Sequence, residues 1–378
     1  MSLLGRVATV LSVLALCWTT GCSGFWVAVN NTNTNGGGSS TKDFVYVANG
    51  TAQTLAGFVV DTGTLTSVTG SPYTLGFTPT AVAINPANSI LFVSGHTNVG
   101  IGVIYAFSIG TGGALSALNN GYAVSSVSEE ISLDISPDGQ WLIGLNANNI
   151  SLDEYGINSS TGALTGPTYL SYIGLVTGTI NASQVKVSPN GDFVFAALGT
   201  AGDLVYQLTT STGLLTALNP LPPISTTTSD NALAVSPDST SLYIARSGTN
   251  GGLAVYSISS GGALSMMSGS PLAAGSQPVS VVVNGVGTDV YVANHNGGTI
   301  SEYSVATSTG AVSQLSPATI TTVSTPWAMA VDNSSNYLLS ISEAGSPDLT
   351  MYNYLAGQLS FSTSSPTGTD AVAIATTH

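Results

Sequence analysis

From Ala81 onward the chain repeats one pattern at an interval of about fifty residues: an apolar run, a short polar turn, and a second apolar run that often carries an aromatic. It reads AVAINPANSILFVSG from Ala81, SLDISPDGQWLIGL from Ser132, VKVSPNGDFVFAAL from Val185, LAVSPDSTSLYIAR from Leu233, VVVNGVGTDVYVAN from Val281 and AMAVDNSSNYLLSIS from Ala328. Runs this short, rich in β-branched residues and bounded by Pro, Asn, Asp and Gly, predict two antiparallel strands per repeat. A third strand follows, as in GVIYAFSI, LDEYGIN, LAVYSIS and ISEYSVA, and then a tight turn into a fourth. That turn carries Gly63, Gly113, Gly162, Gly213, Gly262, Gly310 and Gly357, where a hairpin needs positive φ.

Four strands at this period are the blade of a β-propeller. The ends of the chain supply the seventh blade in two pieces. DFVYVANG from Asp43 has the second strand without a first, and DAVAIATTH from Asp370 has the first strand with nothing after it. Joining them leaves no open edge, so the expected fold is an all-β, seven-bladed propeller closed by the C-terminal strand within the first blade. Residues 43–378 are then one domain, a ring expected to be monomeric.

Composition narrows the partners. Lys and Arg number 4 against 18 Asp and Glu, and the net charge is -14. Nucleic acids and anionic lipid headgroups are bound by clustered cations, so both are excluded. The membrane enters by another route. In residues 1–22, Arg6 precedes an apolar core from Val7 to Leu16, and Thr19-Thr20-Gly21-Cys22 resembles a bacterial lipobox with Cys22 as the lipidated residue. An uncleaved anchor, or a secretory signal with an incidental cysteine, are the other readings of the same segment. Residues 23–42 hold the polar stretch NNTNTNGGGSST, a flexible tether. Ser23 and Gly24 follow the cysteine with no Asp, which directs the expectation to the outer membrane. Cys17 and Cys22 are the only cysteines, so the ring has no disulfide.

The motif VYVAN at Val45 and Val290, with SPDG at Ser136, resembles the lactonase-like seven-bladed propellers, which include 6-phosphogluconolactonase and carboxymuconate cycloisomerase. The resemblance implies lactone chemistry over the ring centre. Active members carry a His-x-His-like approach to one inner strand, an Asp-rich loop, and a Gly-Pro-Arg-His approach to the next blade. Here those stretches read Ser128-Glu129-Glu130-Ile131, Leu145-Asn146-Ala147-Asn148 and Asn181-Ala182-Ser183-Gln184. Beyond the signal, the basic residues are Lys42, Lys186 and Arg246. A phosphorylated or polycarboxylate lactone needs cationic forks and a placed base, which this set does not provide.

The remaining polar candidates fall at second-strand ends (His96, Arg246, His295, Glu343) and just before inner strands (Glu129, Glu130, Asp230, Asp370), all on one loop face. The carboxylates there suit a shared ligand or a divalent cation, or serve only solubility. No His/Cys metal spacing, phosphate loop or nucleophile triad is present, and no cofactor is expected. Trp141, Trp327 and Met329 read as core. The sequence therefore favours a lipid-anchored, non-catalytic module binding a protein, glycan or small polar ligand. The alternative is a hydrolase of small, uncharged lactones. Convergence of the candidates on one cavity separates the two.

Overall fold

The computed structural model describes residues 42–378 apart from 127, 128, 147, 149 and 356; the signal, Cys22 and the tether before residue 42 lie outside the described residues. The repeats form seven antiparallel sheets, six of four strands in chain order and one that joins the two ends of the chain. The second blade is representative, with strands Thr78–Ile84, Ile90–His96, Gly102–Ile109 and Leu115–Ala117. The first blade is closed as expected: Ala371–Thr376 is its inner strand and pairs with Asp43–Asn49, from Val45 opposite Thr376 to Asn49 opposite Ala371. It also gains a short fifth strand, Tyr73–Thr74.

The polar turn between the first two strands of each repeat has a local cause. The side-chain oxygen of Asn85, Ser136, Ser188, Ser236, Asn284 or Asp332 accepts the backbone N–H five residues on, at 2.9, 3.0, 2.9, 2.9, 3.1 and 2.6 Å. Such side-chain bonds fix a turn where no ladder bond is available. The outer hairpins are then gripped by the preceding blade. The Tyr46 hydroxyl donates to the Gly113 carbonyl (2.6 Å), Trp141 Nε1 to Thr210 (2.6 Å) and the Tyr291 hydroxyl to Gly357 (2.7 Å). At Gly113, φ is +78°, and a Cβ there would lie 2.4 Å from the Phe44 ring of the neighbouring blade, so the glycine serves both the turn and the close approach.

Burial follows the ring. The described residues form seven apolar clusters, each shared by two adjacent blades. The cluster holding Val45, Val47, Phe58, Leu339, Met351 and Ala371 joins the seventh blade to the first. Every blade thus buries both faces against neighbours, and no blade has a core of its own.

Two acids are caught in these interfaces. Glu154 is 8% exposed, and Glu302, 1% exposed, accepts the Leu359 N–H of the next blade at 2.8 Å. Burial raises each carboxyl to about 7 from the ordinary 4.5. Below pH 4.5 both folded and unfolded chains hold these protons. Between 4.5 and 7 the unfolded chain ionises first, so stability falls as pH rises, and above 7 the loss is complete. The ring is expected to be more stable at pH 5 than at pH 8, by on the order of 2 kcal/mol per acid. Glu154→Gln with Glu302→Gln should flatten that slope in urea unfolding; an unchanged slope would place the titrating groups elsewhere.

Candidate active site

A cavity of about 840 Å³ lies on the ring axis, bounded by residues from all seven inner strands or their approaches. Its wall is made mostly of hydroxyls, amides and apolar side chains, the largest being Trp327. Among the lining residues only Asp370 and Lys186 carry charge. Asp370 directly precedes its inner strand, while Lys186 sits near the far end of Gln184–Val187, 3.8 Å from Asp134.

Most of the polar wall is engaged in holding the ring together. Inner strands of adjacent blades do not share a ladder, so side chains bridge them. Ser132 Oγ accepts the Val185 N–H (3.1 Å), Gln184 Oε1 that of Leu233 (2.6 Å) and Ser280 Oγ that of Met329 (3.2 Å). Asn231 Nδ2 donates to the Pro278 carbonyl (2.7 Å), and Thr80 Oγ1 to that of Glu130 (2.7 Å). Such bonds satisfy groups that would otherwise be stranded at the crowded centre.

The eight sequence candidates divide into three sets. Asp370 alone lines the cavity. Its Oδ2 accepts the Thr51 hydroxyl at 2.9 Å, and Oδ1 has no hydrogen-bond partner among the described residues. His96, Glu129, His295 and Glu343 are not among the lining residues. His96 Nδ1 lies 2.8 Å from Glu129 Oε1, joining the second blade to the third, and His96 pairs with Thr78 of the cavity wall. His295 Nδ1 lies 3.2 Å from the Pro326 carbonyl, and Glu343 is exposed.

The third set is internal. Glu130, Asp230 and Arg246 are 0, 5 and 1% exposed, so these residues pack within and between blades and do not form a loop surface. The Tyr155 hydroxyl donates to Glu130 Oε1 at 2.8 Å. Arg246 is gripped by Asp230, with Nε to Oδ1 at 2.5 Å and Nη2 to Oδ2 at 2.9 Å. Fully buried Asp203 adjoins this pair, and burial together with Asp230 holds its carboxyl well above the usual carboxylate range. A guanidinium committed to an internal carboxylate is not an anion fork for a ligand.

Trp327 and Gln277 were not among the candidates, yet both line the cavity. Trp327 is half-buried and packs against the cluster between the seventh and first blades, as a core role predicts, and its ring meets His295 at 79° with centroids 5.6 Å apart. Gln277 precedes the sixth inner strand as Asp370 precedes the first. This equivalence of repeat positions was the available signal. Among the described residues there is no group of three or more His, Cys, Asp or Glu arranged to hold a metal ion.

The family described as "Lactonase, 7-bladed beta-propeller" matches residues 198–326. That segment is similar to the lactonase family, and the ring as a whole has the seven-bladed fold. Its fold is also that of the periplasmic gluconolactonase of Pseudomonas aeruginosa, at 17% identity and a TM-score of 0.72 over 89% of this chain and 99% of the other. A candidate 6-phosphogluconolactonase of Bacteroides uniformis has 15% identity and a TM-score of 0.72, again over 89% and 99%. A Lactobacillus plantarum protein has 17% identity and a TM-score of 0.72 over 89% and 100%. No curated protein sequence matches the chain.

The family match corrects the expectation of a non-catalytic binding module in favour of its lactonase-like alternative; the solved structures show the fold alone. That expectation rested on the missing histidines and arginines. Cationic forks serve a phosphate or a second carboxylate on the substrate; opening an uncharged lactone does not require them.

Proposed function

We propose that this propeller is a hydrolase of small, uncharged lactones, acting at the mouth of the axial cavity. The observation that carries the reading is a wall of hydroxyls and amides with Asp370 as the carboxylate at its mouth. The lactonase family match and the likeness to a gluconolactonase support it. In the reaction, water adds to the lactone carbonyl carbon and the bond from that carbon to the ring oxygen breaks. The ring oxygen takes up a proton, giving the open-chain hydroxy acid. Asp370 Oδ1 is the acceptor of the attacking water's proton, and the Thr51 hydroxyl on Oδ2 orients the carboxylate. Lys186, beside Asp134 at the far end, is the one cation of the wall and is poorly placed to hold a phosphate at this mouth.

The test is a paired assay of the purified protein on a neutral aldonolactone and its 6-phosphorylated counterpart. Turnover of the neutral lactone above its spontaneous rate, with the phosphorylated one at least tenfold slower in kcat/KM, is expected. Preference for the phosphorylated lactone would contradict the neutral-substrate reading. For the cellular setting, we infer export and anchoring to the outer membrane through lipidated Cys22, a reading that rests on the lipobox-like segment alone.

A further inference from the structure

The cavity wall is unevenly committed. Ser132, Gln184, Asn231, Ser280 and Thr80 spend their polar atoms on neighbouring inner strands. By contrast, the Gln277 amide, the Trp327 indole N–H and Asp370 Oδ1 have no hydrogen-bond partner among the described residues. These three belong to the sixth, seventh and first blades, which are consecutive around the ring.

Two further features bear on this arc, the first of them shared with eight other described non-glycine residues. Gln277 and Asp370 hold left-handed backbone, at φ +58° and +68°, on either side of the blade that carries Trp327. Non-glycine residues are rarely placed there, and such strain persists where the surroundings fix a side chain for use. His295 ties the arc together. Its N–H donates to the Gln277 carbonyl at 2.9 Å, its Nδ1 meets Pro326, and its ring buttresses the Trp327 indole.

Resting on the lactonase reading above, we propose that this arc is the sugar subsite, with Trp327 as its stacking platform and specificity determinant. An uncharged aldonolactone has one face of C–H groups and a rim of hydroxyls. The indole takes the C–H face, while the Gln277 amide and the indole N–H meet the hydroxyls. Asp370, at the end of the arc, then faces the lactone carbonyl. An alkyl lactone without hydroxyls would lack most of these contacts.

The experiment is calorimetric binding of a neutral aldonolactam, which has the ring and hydroxyls but resists hydrolysis. Trp327→Leu is expected to weaken binding about tenfold. Gln277→Gly relieves the left-handed backbone, so it should raise the melting temperature while weakening the lactam several-fold. A purely structural role predicts the rise without the loss. Equal lactam affinity in wild type and both variants, or no wild-type binding at millimolar lactam, would overturn the subsite. Turnover assayed alongside separates the two proposals: binding that depends on Trp327 without any lactone hydrolysis supports the subsite and removes the hydrolase, whereas hydrolysis with unaltered lactam affinity and KM in Trp327→Leu does the reverse.

Discussion

A chain lacking residues 371–378 is expected to lose its cooperative unfolding transition and to aggregate. The missing segment is the inner strand of the first blade, paired with Val45 through Asn49, all fully buried. Its loss exposes a row of backbone N–H and C=O groups on a strand that is apolar on both faces. It also takes Ala371 and Ile374 from the cluster joining the seventh blade to the first, and Thr377, whose Oγ1 accepts the Phe44 N–H at 2.9 Å. Because each blade is stabilised only by its neighbours, the break is not local. The cost rivals the whole net stability of a domain, about 5–15 kcal/mol. Circular dichroism and calorimetry read the result, and adding the missing strand as a peptide should restore part of the transition. A truncated chain that melts like the full one would contradict closure by this strand.

Arg246→Met is expected to destabilise the ring by about 3–5 kcal/mol, because it leaves the Asp230 carboxylate buried without its guanidinium. The methionine keeps much of the apolar stem, so the loss reports mainly the charge. Asp230→Asn in the same chain removes the stranded charge and should recover much of the stability. Asp203→Asn, by contrast, should change little near neutral pH. Burial and the neighbouring Asp230 carboxylate already disfavour the ionised form of Asp203, and the neutral amide matches the carboxyl in shape. Urea unfolding of the single and double variants measures the coupling. A single Arg246→Met with wild-type stability would mean that the pair contributes nothing to the fold.

The ring was legible because its signals are local and repeated. A side-chain oxygen beside each polar turn, a glycine in each outer hairpin and one unmatched strand at each end fix blade and closure without reference to distant contacts. The site was less legible. Asp370 stands just before an inner strand and does line the cavity, whereas Glu130, read from the same kind of position, is buried. Arg246 and Asp230 were read as a loop surface, yet the register that sets them opposite each other lies inside the blade stack. Sequence spacing gives strand ends but not which face of a strand turns toward a neighbouring blade. Trp327 shows the converse: an aromatic opening an inner strand reads as core, and it does pack against the cluster between the seventh and first blades, while closure of the ring also sets it in the cavity wall. On the proposed lactonase reading, the missing cationic residues bear on the substrate's charge rather than on whether a lactone is opened.

The most direct measurement is the steady-state hydrolysis of a neutral aldonolactone by the wild-type protein and by Asp370→Asn. Asparagine tolerates left-handed backbone and is nearly isosteric, so the fold should persist while the proton acceptor is lost. Turnover above the spontaneous rate in the wild type, with kcat lowered about 100-fold or more in Asp370→Asn and an unchanged melting temperature, is the expected result. A wild-type rate no greater than the spontaneous one, or full activity in a folded Asp370→Asn protein, would contradict lactone hydrolysis at this cavity.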